Sequence, residues 1–357
     1  MWISKKNKIV RIFSLMLATV LLLGSFSSCK GSDDGESTTA PSIDAAATVT
    51  EEKAVLNPLT GEKGYDKALL NNRPVVISVE NHPDARPQWG LCSSDMVMEM
   101  VAEGGITRML LMYADKSRIP EKVGPVRSAR HYFVELVSGF DGIFIHWGAS
   151  TYAYKEFNKG YCDHLDGKSI SSCFYRDKSR YVDLEHTGYT KGSAIIETIA
   201  DKNIRTTLKD GYASPFKFND SASALSENAC TTCSISYSGS YTYTFKYDSS
   251  DKLYYSSLND VPFVDSDGKQ QNFTNLIIVY TDITDLNDAK SRVTFDLDEG
   301  NGIYVSNGTY KNITWKKGNA TDTLKFFNED GSELSLNPGR SYIGIVGTGR
   351  EKLTEIA

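Results

Sequence analysis

The sequence lacks an excess of positive charge. Its 39 Lys and Arg residues are outnumbered by 45 Asp and Glu residues, which gives a formal net charge of −6. The first 28 residues carry four basic side chains and no acidic ones, so the rest of the chain has a net charge of −10 (−6 − 4). Because non-specific binding to nucleic acid needs a positive surface, we expect no nucleic-acid partner.

The sequence also lacks the usual signatures of nucleophilic and metal-dependent chemistry. It has no Gly-x-Ser-x-Gly motif, so a serine nucleophile has little support. Cys230 and Cys233 have no second cysteine or histidine pair nearby, and the five histidines show no ligand pair at helical spacing. We therefore expect no metal site and no cofactor.

Long hydrophobic runs are scarce. One run near the start, from Ile12 to Leu23, is too short for an ordinary membrane-spanning helix, and basic residues precede it. It ends in Gly24-Ser25-Phe26-Ser27-Ser28-Cys29, and small residues directly before a cysteine resemble the bacterial lipobox. We predict a signal peptide over 1–28, a lipid anchor on Cys29 and an extracytoplasmic location at the bacterial cell membrane. The alternative is a secretory signal followed by a free cysteine.

Paired cysteines are not guaranteed either. With Cys29 lipidated, an odd number remains, so at least one thiol is free. In an oxidising compartment Cys162 can pair with Cys173, and Cys230 with Cys233, while Cys92 is left over. The pairing stays open from the sequence.

Composition and periodicity divide the remaining chain. Residues 29–55 have few large apolar side chains and predict a disordered tether. Residues 56–220 alternate strands with helices, which predicts an α/β domain with a mainly parallel sheet. A polar linker is predicted over 221–240. Short alternating runs separated by turns over 241–357 predict a mostly antiparallel β domain, as a sandwich or barrel.

The elements within these domains follow from apolar periodicity and turn residues. Strands are predicted at 75–79, 106–113, 142–147, 241–247, 253–257, 275–281, 293–297, 302–305, 309–315, 324–327 and 341–346. Helices are predicted at 95–103, at 151–157 with Ser150 as its cap, and at 190–204.

A further helix is predicted after Gly124-Pro125, because proline suits the first helical position and an apolar face begins at Val126. Arg127 and Arg130 would then lie one turn apart beside the free backbone N–H groups of a helix start. Two planar guanidiniums at such a position favour an anion site. The competing interpretation pairs these arginines with acidic side chains of the protein, Glu103 among them.

Several motifs, in order along the chain, resemble the YerB-like bacterial lipoproteins. They are Asn81-His82-Pro83, Ala85-Arg86-Pro87-Gln88, Glu103-Gly104-Gly105-Ile106-Thr107-Arg108, Gly124-Pro125-Val126-Arg127-Ser128-Ala129-Arg130, His146-Trp147-Gly148-Ala149-Ser150 and Asn337-Pro338-Gly339-Arg340-Ser341-Tyr342. The resemblance implies a two-domain envelope lipoprotein with no agreed activity. Glu185-His186-Thr187 departs from the family's Pro-His-Asn.

Polar groups follow several predicted strands of the first domain. If those strands are parallel, the groups converge on one rim of the sheet, where ligands bind in open α/β folds. The predicted ligand-binding residues are Asn81, His82, Arg86, Arg108, Arg127, Ser128, Arg130, Ser150 and His186. We expect an anionic ligand bearing phosphate or carboxylate, either a small molecule or a cell-wall component.

Two other functions remain open. Glu103 and His146 can form an acid–base pair of an envelope hydrolase or transferase, since histidine titrates near neutral pH. In the structural alternative, His146 packs at a strand end and Ser150 only caps a helix. A third hypothesis is a scaffold that docks an envelope protein through its β domain.

Overall fold

A computed structural model describes residues 54–357. The predicted signal peptide, Cys29 and nearly all of the predicted tether lie outside the described residues. The strands in chain order are β1 (Val75–Glu80), β2 (Met96–Val101), β3 (Thr107–Tyr113), β4 (Ile143–His146), β5 (Asp163–Asp166), β6 (Phe174–Arg176), β7 (Gly188–Thr190), β8 (Lys217–Phe218), β9 (Thr232–Ser238), β10 (Tyr241–Asp248), β11 (Leu253–Leu258), β12 (Val261–Pro262), β13 (Asn272–Phe273), β14 (Asn275–Thr281), β15 (Ile283–Asp285), β16 (Val293–Phe295), β17 (Glu299–Ser306), β18 (Thr309–Lys316), β19 (Lys325–Asn328), β20 (Ser335–Leu336), β21 (Ser341–Gly347) and β22 (Glu355–Ile356).

Helices are few and short in this part of the chain. The α-helices are α1 (His131–Gly139), α2 (Thr151–Phe157) and α3 (Gly192–Asp201). Short 3₁₀ helices occur at Lys67–Leu69, Pro83–Ala85, Glu103–Gly105, Lys116–Arg118, Leu184–Thr187 and Thr348–Leu353. Within residues 54–357, no helix has both the length and the apolar character that crossing a bilayer requires.

One ten-stranded sheet runs through both halves of the chain, in the order β19-β18-β17-β14-β21-β2-β3-β1-β4-β5. In the first half β1 pairs with β4 and β4 with β5 in parallel, β2 pairs in parallel with β21, and β3 is antiparallel to both of its neighbours. The predicted fold class is confirmed. The first half has a mixed, mostly parallel sheet with a few helices, and the second half is mainly antiparallel.

A second sheet packs on the first. It has the order β12-β11-β10-β9-β22, with β13 also paired to β11. The sandwich predicted within 241–357 therefore involves strands of both halves, because β14, β17, β18, β19 and β21 extend the sheet of the first half. The predicted linker 221–240 is wrong over residues 232–238, because these residues form β9. The predicted domain boundaries otherwise stay predictions.

The helix predicted over 95–103 is wrong, because this segment forms β2. All six residues of Met96–Val101 are buried, between β3 on one side and β21 on the other. A short apolar run cannot be assigned to a buried strand or a buried helix by periodicity alone. Here the hydrogen bonds to β3 and β21 on either side determine that the segment is a strand.

The helix predicted from Val126 begins five residues later, at His131. Residues 126–130 are held in extended backbone between β1 and the segment after β4. The Arg127 N–H donates to the Ser78 carbonyl at 2.9 Å, and the Arg127 carbonyl accepts from Trp147 N–H at 3.1 Å. The helix-start site predicted for Arg127 and Arg130 is therefore wrong, since Arg127 precedes α1 by four residues and Arg130 is only its N-cap.

Other local predictions are confirmed. Ser150 caps α2, and its Oγ accepts the Ala153 N–H at 3.0 Å. The helix predicted over 190–204 contains α3, and every strand predicted in the second half is present. In contrast, neither cysteine pair that the sequence allowed is formed, because the five cysteines among the described residues are free thiols.

A buried polar network joins the two sheets around Glu99. This β2 residue has no exposed surface. Its carboxyl group is hydrogen-bonded by Thr107, by Asn81 Nδ2 at 2.9 Å and by Tyr342 Oη at 3.0 Å. Tyr237 Oη lies 2.8 Å from Tyr342 Oη and donates to the Glu99 carbonyl at 3.2 Å. These bonds tie β2 to β21 and to the second sheet.

Close packing above Glu99 depends on a glycine. Gly344 lies opposite Glu99 in the parallel pairing of β2 with β21. A Cβ at this position would lie 2.6 Å from Tyr237 Oη, which is too close for any side chain to be accepted without movement. The small residue therefore lets the tyrosine reach the Glu99 backbone.

We predict that Glu99 makes stability fall as pH rises. Burial raises the pKa of the Glu99 carboxyl above its ordinary value of 4.5, against the lowering by hydrogen bonds from Thr107 and Tyr342. The folded state therefore holds a proton that the unfolded state has released once pH exceeds 4.5. Urea unfolding from pH 4 to 8 should show Glu99→Gln gaining stability relative to the unmodified chain as pH rises. A pH-independent difference between the two would contradict this.

Candidate functional site

An open cleft of about 460 Å³ lies at the ends of several sheet strands and collects most of the charged motif residues. Its lining is dominated by polar and charged side chains. They are Glu103, Arg127, Ser128, Arg130, Ser150, Thr151, Lys168, Glu185, Lys290 and Arg292. Of the predicted ligand-binding residues, Arg127, Ser128, Arg130 and Ser150 come together here, and so does Glu103.

The main sheet positions one wall of the cleft. Ser150 and Thr151 follow β4, and Lys168 follows β5, at the carboxyl ends of two parallel strands. Glu103 follows β2 in a tight turn that Gly104 continues with φ of +63°, a left-handed conformation that glycine adopts easily. The expectation of polar groups gathered at one rim therefore agrees with the positions of these residues.

The second half of the chain supplies the opposite wall. Lys290 and Arg292 lie in the loop of the β15–β16 hairpin. This hairpin is docked on the helices of the first half: Phe295 packs on Tyr132 with ring centroids 4.5 Å apart, and Thr294 Oγ1 lies 2.8 Å from His131 Nε2. The cleft is thus built jointly by both halves.

Acidic side chains hold the two central arginines. Arg127 Nε lies 2.8 Å from a Glu80 carboxylate oxygen, and its Nη1 donates to Glu185 at 2.9 Å. Arg130 donates to Glu103 and, through Nη1, to its neighbouring Ala129 carbonyl at 2.9 Å. The guanidiniums are therefore fixed in place by protein carboxylates, as the competing interpretation of the sequence expected for Glu103.

Glu103 is held as a carboxylate. Burial raises its pKa, but the hydrogen bond from Arg130 and the charges of Arg108 and Arg130 outweigh burial and lower the pKa below its ordinary value. Arg108 is itself buried beneath the cleft, where its Nη1 donates to the Ser128 carbonyl at 2.6 Å. Burial, followed by the charge of Arg130, lowers the pKa of Arg108 to about 10.

The cleft keeps a positive surplus after its ion pairs are counted. Arg292 pairs with Asp288, with Nε and Oδ2 2.6 Å apart. Lys168 and Lys290 are exposed, and the described residues give neither an ion-pair partner. The charged set at and beside the cleft, comprising Arg108, Arg127, Arg130, Lys168, Lys290, Arg292, Glu80, Glu103, Glu185 and Asp288, carries a net charge of +2. That sign favours an anion.

Asn81 and Arg86 are not cleft residues. Asn81 is fully buried in the Glu99 network. Arg86 donates to the Asn81 side chain at 2.9 Å and to its carbonyl at 2.7 Å, and it stacks over Tyr241. Their placement corrects the prediction that both bind ligand, because they connect the two sheets instead.

His82 and His186 form a pair beside the cleft. Their rings stack with centroids 4.5 Å apart and planes 10° from parallel. His186 Nδ1 lies 2.9 Å from a Glu80 oxygen, and the side chains of His186 and Glu80 are each 4% exposed. Glu80 thus connects the histidine pair to Arg127 in the cleft wall.

The predicted acid–base pair is not assembled. His146 is fully buried, with Nδ1 2.8 Å from the Gly148 carbonyl and Nε2 2.9 Å from His164. Glu103 is instead bonded to guanidiniums, and no contact of the described residues joins it to His146. The geometry supports the alternative in which His146 packs at a strand end.

Sequence reasoning missed Lys168, Glu185, Lys290 and Arg292. Lys168 follows β5, a strand that was not among those predicted, so the carboxyl-end argument did not reach it. Lys290 and Arg292 carry no comparable signal, because their position depends on a hairpin from the other half docking on α1 and α2.

Comparisons with known proteins identify the family. The model described as "Protein of unknown function (DUF3048) N-terminal domain" matches residues 59–205, and the corresponding C-terminal domain model matches residues 233–343. A relative from Bacillus subtilis (strain 168), named "Putative lipoprotein YerB", is 34% identical over 301 residues, which are 82% of this chain and 87% of the relative.

The chain is also similar to a solved structure. A crystal structure of YerB protein from Bacillus subtilis aligns with a TM-score of 0.74 and 31% identity, covering 85% of this chain and 99% of that one. The resemblance to YerB-like proteins drawn from the sequence motifs is confirmed.

We predict that the His146 side chain stays neutral at pH values well below those at which histidine ordinarily takes up a proton. Burial lowers its pKa to about 4, against an opposing effect of Asp166. Between pH 4 and the ordinary value of 6.5, the unfolded chain takes up a proton that the folded chain refuses, so acid in this window lowers stability. NMR of the imidazole C–H, assigned with His146→Gln, should show no titration between pH 7 and 5. A midpoint near 6.5 in the folded chain would contradict this.

Proposed function

The chain belongs to the DUF3048 family, and from that premise we propose that it is a membrane-anchored extracytoplasmic lipoprotein that binds an anionic envelope ligand in the cleft beside Arg127 and Arg130. The ligand class is one bearing phosphate or carboxylate, either a small molecule or a cell-wall component.

The single observation that carries the binding proposal is the pair of exposed, unpartnered lysines, Lys168 and Lys290, at the mouth of a cleft with a net positive surround. Cations at the mouth of a cleft whose surroundings are net positive raise the local concentration of anions, even in an acidic protein. The arginines behind them are already oriented by Glu80, Glu103 and Glu185, so little ordering is needed on binding.

Binding is better supported than catalysis. A general base needs a side chain free to take a proton, whereas the Glu103 carboxylate is engaged by two guanidiniums. His146 has no exposed surface to present to a substrate. Apart from Glu185 and Ala149, the rest of the lining consists of cations and hydroxyls, which are suited to holding an anion.

The anchor proposal rests on the residues before Cys29 and on the family relationship. A basic segment, a short apolar run and small residues precede this cysteine. Diacylation of one cysteine, at about 0.8 kcal/mol per buried CH₂, is sufficient for stable attachment to a bilayer. The relative from Bacillus subtilis carries the word lipoprotein in its name.

We predict that the double variant Lys168→Ala/Lys290→Ala weakens anion binding roughly 3- to 10-fold, because each exposed charge contact contributes up to about 1 kcal/mol. Isothermal titration with inorganic phosphate and, separately, with citrate measures the effect and tells a phosphate preference from a carboxylate preference. Glu103→Gln should tighten binding, since it releases Arg130 from its counter-charge.

The matched control is Lys202→Ala/Lys246→Ala, which removes the same charge from two exposed lysines outside the cleft. An equal loss of affinity in this control would show a general charge effect and contradict the proposed site. No measurable binding of either anion by the unmodified chain would also contradict it.

We predict that Cys29→Ser releases the chain from the membrane. In cells expressing the full chain, the unmodified protein should sediment with membranes and partition into detergent, whereas the variant should remain in the soluble fraction. Cys92→Ser is the control and should leave partitioning unchanged, because Cys92 lies within the folded body. Retention of Cys29→Ser with membranes would rule out lipidation as the anchor.

A further inference from the structure

A second cluster of side chains lies beside the cleft, where two imidazoles meet a carboxylate. His82 and Asp84 follow β1, and His186 comes from the 3₁₀ turn Leu184–Thr187. One ligand atom of each of the three lies within 4.8 Å of the others. We propose that His82, Asp84 and His186 bind a divalent transition-metal ion, with Zn²⁺ the best match to their donors.

His186 is prepared as a metal ligand by Glu80. Its Nδ1 faces a Glu80 carboxylate oxygen at 2.9 Å, and both side chains are almost fully buried. A carboxylate beside Nδ1 fixes the tautomer that carries the proton there, which leaves the lone pair on Nε2. This carboxylate–imidazole arrangement is the usual support of a metal-bound histidine.

His82 and Asp84 supply the solvent-exposed side of the site. The His82 side chain is 32% exposed and that of Asp84 56% exposed, with His82 Nδ1 and Asp84 Oδ2 3.6 Å apart. Ligand atoms around a tetrahedral zinc ion lie about 3.4 Å apart, since each is about 2.1 Å from the metal. The solvent-facing pair therefore reaches this geometry by side-chain rotation, while the buried His186 stays in place.

Donor type favours a transition metal at this position. Glu80, Asp84 and Glu185 surround the pair, and the Glu185 carboxylate lies 3.9 Å from His186 Nε2 as a further oxygen donor. Three cations lie beside these carboxylates: Arg127 pairs with Glu80 and Glu185, Arg180 donates to the Asp84 carbonyl at 2.9 Å, and Arg176 donates to the Leu184 carbonyl. The charges are balanced, so donor type decides which metal fits. Two imidazoles with carboxylate oxygen suit zinc, whereas calcium and magnesium prefer oxygen alone.

The stacked histidines have no other evident task at their exposed end. Asp84 Oδ2 meets no cation among the described residues except His82. The one further bond to the His82 ring is the Asp84 N–H at 3.2 Å, a weak local cap. A metal ion accounts for a carboxylate and two imidazoles drawn from positions 104 residues apart in the sequence.

The test is titration of the purified full chain with ZnCl₂ by calorimetry, in buffer without phosphate, and with CoCl₂ followed by visible absorption. One equivalent of Zn²⁺ should bind, and the cobalt spectrum should show the intense bands of a four-coordinate site. His82→Ala and Asp84→Asn should each weaken Zn²⁺ binding at least 10-fold. Both side chains are partly exposed, so these variants test the site without the folding risk of His186→Ala.

The matched controls are His131→Ala, a histidine outside the cluster with one side-chain hydrogen bond to Thr294, and Asp66→Asn, the exposed cap of another 3₁₀ turn. Both should bind Zn²⁺ as the unmodified chain does. The proposal is overturned if the unmodified chain binds no Zn²⁺, if His82→Ala and Asp84→Asn bind normally, or if the controls lose as much affinity. None of these results depends on whether the cleft binds an anion.

Discussion

The parallel pairing of β2 with β21 is the constraint on which the rest of the structure depends. Five residue pairs, from Met96 with Ser341 to Met100 with Ile345, join strands 245 positions apart. The pairing buries Glu99, whose carboxyl group is bonded by Asn81 and Thr107 from the first half and by Tyr342 from the second. Tyr237 of the second sheet bonds the Glu99 carbonyl. A buried carboxylate without these partners costs several kcal/mol, so the network favours this one arrangement of the two sheets.

The cleft follows from that pairing. Because β14 lies next to β21, the β15–β16 hairpin that follows β14 is placed over α1 and α2. The hairpin brings Lys290 and Arg292 opposite Lys168 and the arginine segment. In the first half, Arg127 and Arg130 are paired with carboxylates of that same half. The second half adds the positive charges of Lys290 and Arg292 to the cleft. Glu185 and Arg127 also border the histidine cluster, so the proposed anion and metal sites share one wall.

Much of this structure could be predicted locally. The β-branched run of β1 and the alternating runs of the second half predict strands because their patterns match the pleat and the buried faces. The same reasoning gives the wrong prediction for β2, because a short run of Met and Val is compatible with helix or strand until its neighbours are known. The helix prediction over 126–130 is wrong for a related reason. The Arg127 N–H donates to the Ser78 carbonyl and the Arg127 carbonyl accepts from the Trp147 N–H, and these bonds override the helical tendency that follows Pro125.

The candidate site could be predicted only in part. The helix start on which Arg127 and Arg130 were chosen is not formed. They lie in the cleft with Ser150 and Glu103 because motifs after strands gather at one edge, and ligand binding by these residues stays a prediction. The same argument wrongly included Asn81 and Arg86, since sequence cannot show that a tyrosine-rich strand pair from the other half would cover them. Lys290 and Arg292 could not be predicted as cleft residues, because only the pairing of strands far apart in the sequence brings them to the cleft.

The most direct test of the account is an anomalous diffraction map of crystals soaked in selenate, an anion whose selenium position can be found without prior assumptions. The account predicts a selenium peak in the cleft, within contact distance of Lys168 or Lys290 and in front of Arg127. Selenate bound at other positive surfaces of the same crystals, with the cleft empty and open to solvent, would contradict it.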